Sequence, residues 1–88
     1  MAHYLICYDI ADPKRLTRVH RRAVNHAQFV QYSVYYMIGT PDDLQRLMDE
    51  IAAIIHPKED DVRAYAIAPL NEAICLGQPL LPDDIFLL

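Results

Sequence analysis

Glycine is nearly missing from this chain: Gly39 and Gly77 are the only two among 88 residues. That excludes a glycine-rich loop of the kind that cradles phosphates, whose backbone must approach the ligand without side chains in the way. Cysteine is equally sparse. Cys7 and Cys75 form neither a disulfide framework nor a metal-binding pattern, and each lies in an apolar run where a small buried hydrophobe is expected. Long apolar runs are absent too. The longest stretch without Asp, Glu, Lys or Arg, residues 23–41, carries Asn25, His26, Gln28, Gln31 and Ser33, which is no membrane span. The apolar run at residues 4–8 is too short for the core of a signal peptide and stops at Asp9. A soluble cytoplasmic protein with no membrane association is the expectation.

What remains is ordinary globular material. Leaving out the six tyrosines and counting glycine, about half of the residues are apolar, which excludes disorder and collagen-like repetition. The length suits one domain over residues 1–88, with a core near 3–68 and a tail near 69–88. A domain of this size buries only about 60–65% of the surface of its unfolded chain, so stabilisation by a second copy is a natural expectation. Four consecutive apolar residues at 85–88 strengthen it, because a lone monomer has little reason to expose them.

The net charge is −4, which argues mildly against a nucleic-acid partner. The distribution argues the other way. Lys14, Arg15, Arg18, Arg21 and Arg22 fall within nine positions that contain no acid, so that segment carries +5 and the rest of the chain −9. A basic stripe on an acidic body is a local anion-binding signal.

The pattern of elements is legible. Residues 3–10 form a compact apolar and aromatic run that reads as a strand buried on both faces. Asp12 then caps a helix with Pro13 in its first position, and Leu16, Val19, Ala23 and Ala27 make its core-facing stripe. The basic residues occupy its other faces: Arg15, Arg18 and Arg22 share one, and Lys14, Arg18 and Arg21 the next. Residues 29–38 are rich in β-branched and aromatic side chains and read as one strand or as two broken near 31–33. Thr40-Pro41-Asp42-Asp43 starts a second helix that runs to His56-Pro57, and residues 62–68 read as a last strand. With the middle stretch divided, the order is that of an α+β, ferredoxin-like βαββαβ fold.

Asp9 is the residue most worth explaining. A strand disfavours aspartate, and Asp12 already fills the cap position. One account is an Asx-type turn between strand and helix. The other is a metal site, in which two Asp9 carboxylates meeting across a dimer axis hold Mg²⁺, an ion that needs few protein ligands beside water and phosphate. The basic helix likewise reads either as a solvated face or as a phosphate-backbone contact that positions nucleic acid without reading its sequence. His3, His20, His26 and His56 lack ligand spacing and are expected on the surface or in packing roles. Tyr32, Tyr35 and Tyr36 suit base stacking but suit the core or an interface better. Ser33 has no neighbouring base that would make it a nucleophile. An RNA-recognition module would need a glycine–aromatic pattern that residues 29–39 do not supply.

Three segments together resemble one family. Residues 4–10 (YLICYDI), followed by Asp12, Lys14 and Arg15, look like its first strand and helix start. Gln31-Tyr32-Ser33-Val34-Tyr35 is similar to its QYSVF segment, and Asp60-Asp61-Val62-Arg63-Ala64-Tyr65 to the acidic residues and VRxY that lead its last core strand. The family is that of the small CRISPR-associated adaptation proteins, known as endoribonucleases, that partner the CRISPR integrase. The resemblance covers residues 3–68. Phe29 stands where an arginine is frequent, and Tyr36-Met37 where the family has Glu-Gly. The resemblance implies a ferredoxin-like homodimer with an extra C-terminal strand added to the partner's sheet. It implies Mg²⁺-dependent endonuclease chemistry at Asp9, and a bridging role between integrase subunits during spacer acquisition. The alternative within the same family is a non-catalytic nucleic-acid-binding scaffold.

Overall fold

The computed structural model describes residues 1–77. Within them the chain runs β1 (Ala2–Asp9), α1 (Pro13–Ala23), β2 (Gln28–Gln31), β3 (Val34–Gly39), α2 (Pro41–Ala52) and β4 (Asp61–Ile67), with a single 3-10 turn at Leu70–Glu72. The four strands form one antiparallel sheet in the order β2-β3-β1-β4. This is the expected α+β, ferredoxin-like arrangement.

Both helices begin where local chemistry dictates. The Asp12 carboxylate accepts the Arg15 amide at 2.9 Å, and Pro13 occupies the first turn of α1. At α2 the capping box is complete: Thr40 Oγ1 accepts the Asp43 amide at 3.1 Å, and Asp43 Oδ2 accepts the Thr40 amide at 2.8 Å. Asp43 is held below its usual carboxylate range, chiefly by the Thr40 amide. α2 ends at Ala52, earlier than His56-Pro57, and Ile54 and Ile55 pack against the core from the turn that follows.

The helices cover one face of the sheet. Strand alternation sends Tyr4, Ile6 and Tyr8 of β1 toward them, to meet Val19, Ala23, Leu47 and Ile51. Ile6, Val19 and Leu47 are fully buried, and each such aliphatic side chain contributes about 1.5–3 kcal/mol of transfer free energy. The opposite face carries no helix among the described residues. It shows half-buried Leu5, Cys7, Val34 and Ile67 beside exposed Ile38 and Tyr65. β1 is therefore buried on one face and only partly covered on the other, not buried on both as its composition suggested.

The middle stretch is two strands. They are joined at Tyr32-Ser33, with Ser33 in the left-handed region at φ 63° and a register shift between Phe29 and Gln31. The Ser33 carbonyl accepts the Tyr8 amide at 3.1 Å, tying the turn to the end of β1. Cys7 is half-buried, whereas Cys75 is exposed in an irregular segment and is not the strand-borne buried thiol expected. Ile74 and Leu76 beside it are also exposed. The apolar residues 85–88 lie outside the described residues.

Candidate nucleic-acid interface

The nine-residue basic segment is divided by the fold. Arg15 lies on the flank of α1 that faces the start of β4, and its guanidinium grips Asp60. Arg15 Nε donates to Asp60 Oδ2 at 2.8 Å and Nη2 donates to Oδ1 at 3.3 Å, with Glu59 Oε1 accepting a further bond at 3.0 Å. The Asp60 side chain is wholly inaccessible to solvent. Its two oxygens also accept the amides of Ala11 at 2.9 Å and His56 at 2.8 Å. The Arg15 hydrogen bond, followed by the two backbone amides, holds the Asp60 carboxyl far below the usual carboxylate range against the opposing effect of desolvation. The Arg15 guanidinium is correspondingly held more firmly protonated, first by Asp60. Arg15 is thus engaged in fastening α1 to the β4 side, unlike the other expected phosphate-binding residues.

Arg22 is partly engaged. Its guanidinium stands 3.8 Å from Glu50 of α2, and Glu50 also pairs with His26 Nε2 at 2.7 Å. An exposed pair of that length holds its arginine weakly. Lys14, Arg18 and Arg21 are exposed, and no acidic partner reaches them among the described residues. Arg18, Arg21 and Arg22 line a shallow open depression with Asn25, and Ile54 forms its apolar wall. Of the two faces read from the helical spacing, the Arg15–Arg22 side is tied to acids, and the Lys14–Arg18–Arg21 side meets none among the described residues.

Asp9 ends β1, exposed, directly across the ladder from Asp61 of β4. By alternation it belongs to the bare face of the sheet, with Leu5 and Cys7. Asp12 caps α1, so Asp9 has no capping duty. Asp61 is committed to Arg63, whose Nε donates to its carboxylate at 2.9 Å. No group of three or more His, Cys, Asp or Glu side chains among the described residues is placed to hold a metal ion. Among the described residues, Asp9 is therefore the uncommitted carboxylate of the Asp9–Asp61 pair at this end of the sheet.

The histidines all have packing or surface roles. His20 Nδ1 is hydrogen-bonded to the Tyr35 hydroxyl, His3 Nδ1 to the Tyr36 hydroxyl, and His56 Nδ1 accepts the Lys58 amide at 3.2 Å. Tyr35 and Tyr36 are buried as expected of core residues, while Tyr32 is 75% exposed. The sequence pattern does not single out Asp60 as the fastening point of α1. Its only local sign is an acidic pair before a strand, and its partners come from residues 11, 15 and 56.

Comparison with known proteins fits this arrangement. The family described as CRISPR associated protein Cas2 matches residues 1–70. A CRISPR-associated endoribonuclease Cas2 of Thermodesulfovibrio yellowstonii is 42% identical over 93% of this chain and 91% of its own length. Another from Nitrosomonas europaea is 36% identical over 97% of this chain and 81% of its own. Among solved structures, a chain of a partial Cas6-RT-Cas1–Cas2 complex superposes with a TM-score of 0.76 at 26% identity, covering 94% of this chain and 93% of that one. No helix among the described residues is long and apolar enough to cross a membrane. With the fold, the three segments and the basic first helix all in place, the chain belongs to the Cas2 family.

Proposed function

We propose that this protein acts in CRISPR adaptation as a homodimer that binds the backbone of nucleic acid through α1, bridges integrase subunits, and cleaves phosphodiester bonds with Mg²⁺ held at Asp9. The observation that carries backbone binding is the cationic face of Lys14, Arg18 and Arg21, which meets no acid among the described residues, on a chain that is net acidic elsewhere. Phosphate contacts from such a helix position a strand without reading its bases. The integrase partnership draws on the solved complex that pairs a similar chain with Cas1, and the nuclease activity on relatives named endoribonucleases.

The homodimer draws on the bare sheet face. Exposed Ile38 and Tyr65 among half-buried aliphatic side chains leave an apolar surface that a second copy would cover. Asp9 lies on that same face, so packing two copies there brings two Asp9 carboxylates toward one axis. The donor chemistry fits: Mg²⁺ takes oxygen ligands and is commonly bound by one or two carboxylates plus substrate phosphates. When bound, the ion would polarise the phosphate and activate water. The chain's own part is to present Asp9 at a strand end, and to hold the nucleic acid's phosphates on α1.

The lack of a metal-holding cluster around Asp9 among the described residues, with Asp61 tied to Arg63, favours a second reading in which Asp9 is structural and the dimer is a scaffold. Asp9→Asn separates the two. Size and most hydrogen bonding persist, while the charge that a hard cation needs is gone. Metal-dependent cleavage of RNA or DNA is expected to disappear, with dimerisation and salt-dependent binding unchanged. Cleavage at the wild-type rate by purified Asp9→Asn protein would refute the catalytic assignment.

A further inference from the structure

A second recess lies on the opposite flank of α1, between that helix and the β2–β3 hairpin, with a volume of about 250 Å³. Tyr8 and Tyr35 form its floor, stacked 5.6 Å apart between ring centroids. The Tyr8 hydroxyl donates to the Tyr35 oxygen at 3.0 Å, and the Tyr35 hydroxyl is hydrogen-bonded in turn to His20. Phe29 stands edge-on to Tyr35 at 5.8 Å and is 48% exposed, and Tyr32 is 75% exposed at the rim. Thr17 closes the helix side.

Phe29 half open to water and Tyr32 three-quarters so need an explanation, because the neighbouring rings of Tyr8 and Tyr35 are buried. The recess is small beside pockets for drug-sized ligands, which run from about 300 to 1,000 Å³. One planar ring system suits it. The surrounding charge narrows the class further: helical spacing puts Lys14 and Arg21 three and four residues from Thr17, on the outer side of the same rim, and both are free of acidic partners among the described residues. Aromatic faces beside unpaired cations are the elements of single-strand recognition, where bases stack and phosphates meet charge.

We propose that this recess is a subsite for one unpaired base of a single-stranded or frayed nucleic acid, with the adjoining phosphates on Lys14 and Arg21. The proposal rests on the reading that α1 meets the nucleic-acid backbone. Stacking on Tyr32 and Phe29 would be tolerant of base identity, while the Tyr8–Tyr35–His20 chain supplies a polar floor. Burial, followed by the hydrogen bond to Tyr35, pushes the Tyr8 hydroxyl above the usual tyrosine range.

The test compares binding of an oligothymidylate with an abasic single strand of equal length, read by fluorescence anisotropy at fixed salt. The wild-type protein should prefer the base-bearing strand by about tenfold, the scale of one stacked base. Tyr32→Ala, which removes the rim ring, and Thr17→Phe, which fills the recess, should each lower oligothymidylate affinity to the abasic level without changing the salt slope. Both positions are exposed, and thermal melting confirms folding of each variant. A strand carrying 2-aminopurine gives an independent readout: its fluorescence should change on binding wild-type protein and stay constant with Thr17→Phe. Equal affinity for the two strands, or an unaffected Thr17→Phe, overturns the base subsite and leaves backbone binding standing. Absence of salt-dependent binding to either strand overturns the backbone reading itself.

Discussion

The two flanks of α1 carry the same kinds of residue and do opposite things. On the flank facing β4, Arg15 is clasped by a carboxylate with no solvent exposure and steadied by Glu59. On the outward flank, Lys14, Arg18 and Arg21 meet no acid among the described residues. Charge density along the chain is the same for both, so the difference comes from tertiary placement alone. An arginine becomes structural when the fold brings it a desolvated carboxylate whose remaining lone pairs are satisfied. The others stay available to a ligand.

The largest effect expected from breaking this contrast is at Asp60. Asp60→Asn removes the charge that Arg15 grips while keeping some hydrogen bonds, and should lower the midpoint of urea unfolding at pH 7. The pH dependence follows from linkage. The folded carboxyl is held far below its unfolded value of about 3.9, so its contribution is fully present above that value and is lost as pH falls below it toward the folded one. The stability gap between wild type and Asp60→Asn should therefore be constant at neutral pH and narrow progressively below about pH 4. A gap that does not change with acidification would mean that the Asp60 charge adds nothing to the fastening.

A smaller effect is expected at the start of the same helix. Asp12→Ala removes the side-chain cap on the Arg15 amide and should cost about 1 kcal/mol in the same unfolding measurement. Binding to duplex DNA should persist, because the outward cations are untouched. A drop in affinity in a folded Asp12→Ala protein would show that the start of α1, not only its exposed side chains, contributes to the interface.

The contrast also marks how much of the molecule can be read from its residues. Signals carried by neighbours in sequence are legible: the caps at Asp12 and Thr40, the core stripe of α1, and the order of strands and helices. The division of residues 29–38 into β2 and β3 stays open in the sequence because its turn uses Tyr32-Ser33, with Ser33 in the left-handed region, and no glycine or proline marks it. Helical spacing does not foresee the Arg15–Asp60 grip, for a different reason. Asp60 lies 45 positions away, and spacing alone groups Arg15 with Arg18 and Arg22. The recess beside Phe29 and Tyr32 is likewise a product of packing, since β2 is an edge strand and α1 ends at Ala23.

The central claim is that outward cations on α1 bind phosphates and that Arg15 does not. The most direct measurement is the dependence of duplex DNA affinity on salt concentration for wild type, for Arg15→Gln, and for Arg18 and Arg21 replaced together by glutamine. The slope of log affinity against log salt should flatten by about 0.9 for each phosphate that the double variant no longer neutralises. It should stay at the wild-type value in Arg15→Gln, whose folded fraction is checked by circular dichroism. A double variant with an unchanged slope, or a folded Arg15→Gln with a flattened one, would contradict the account.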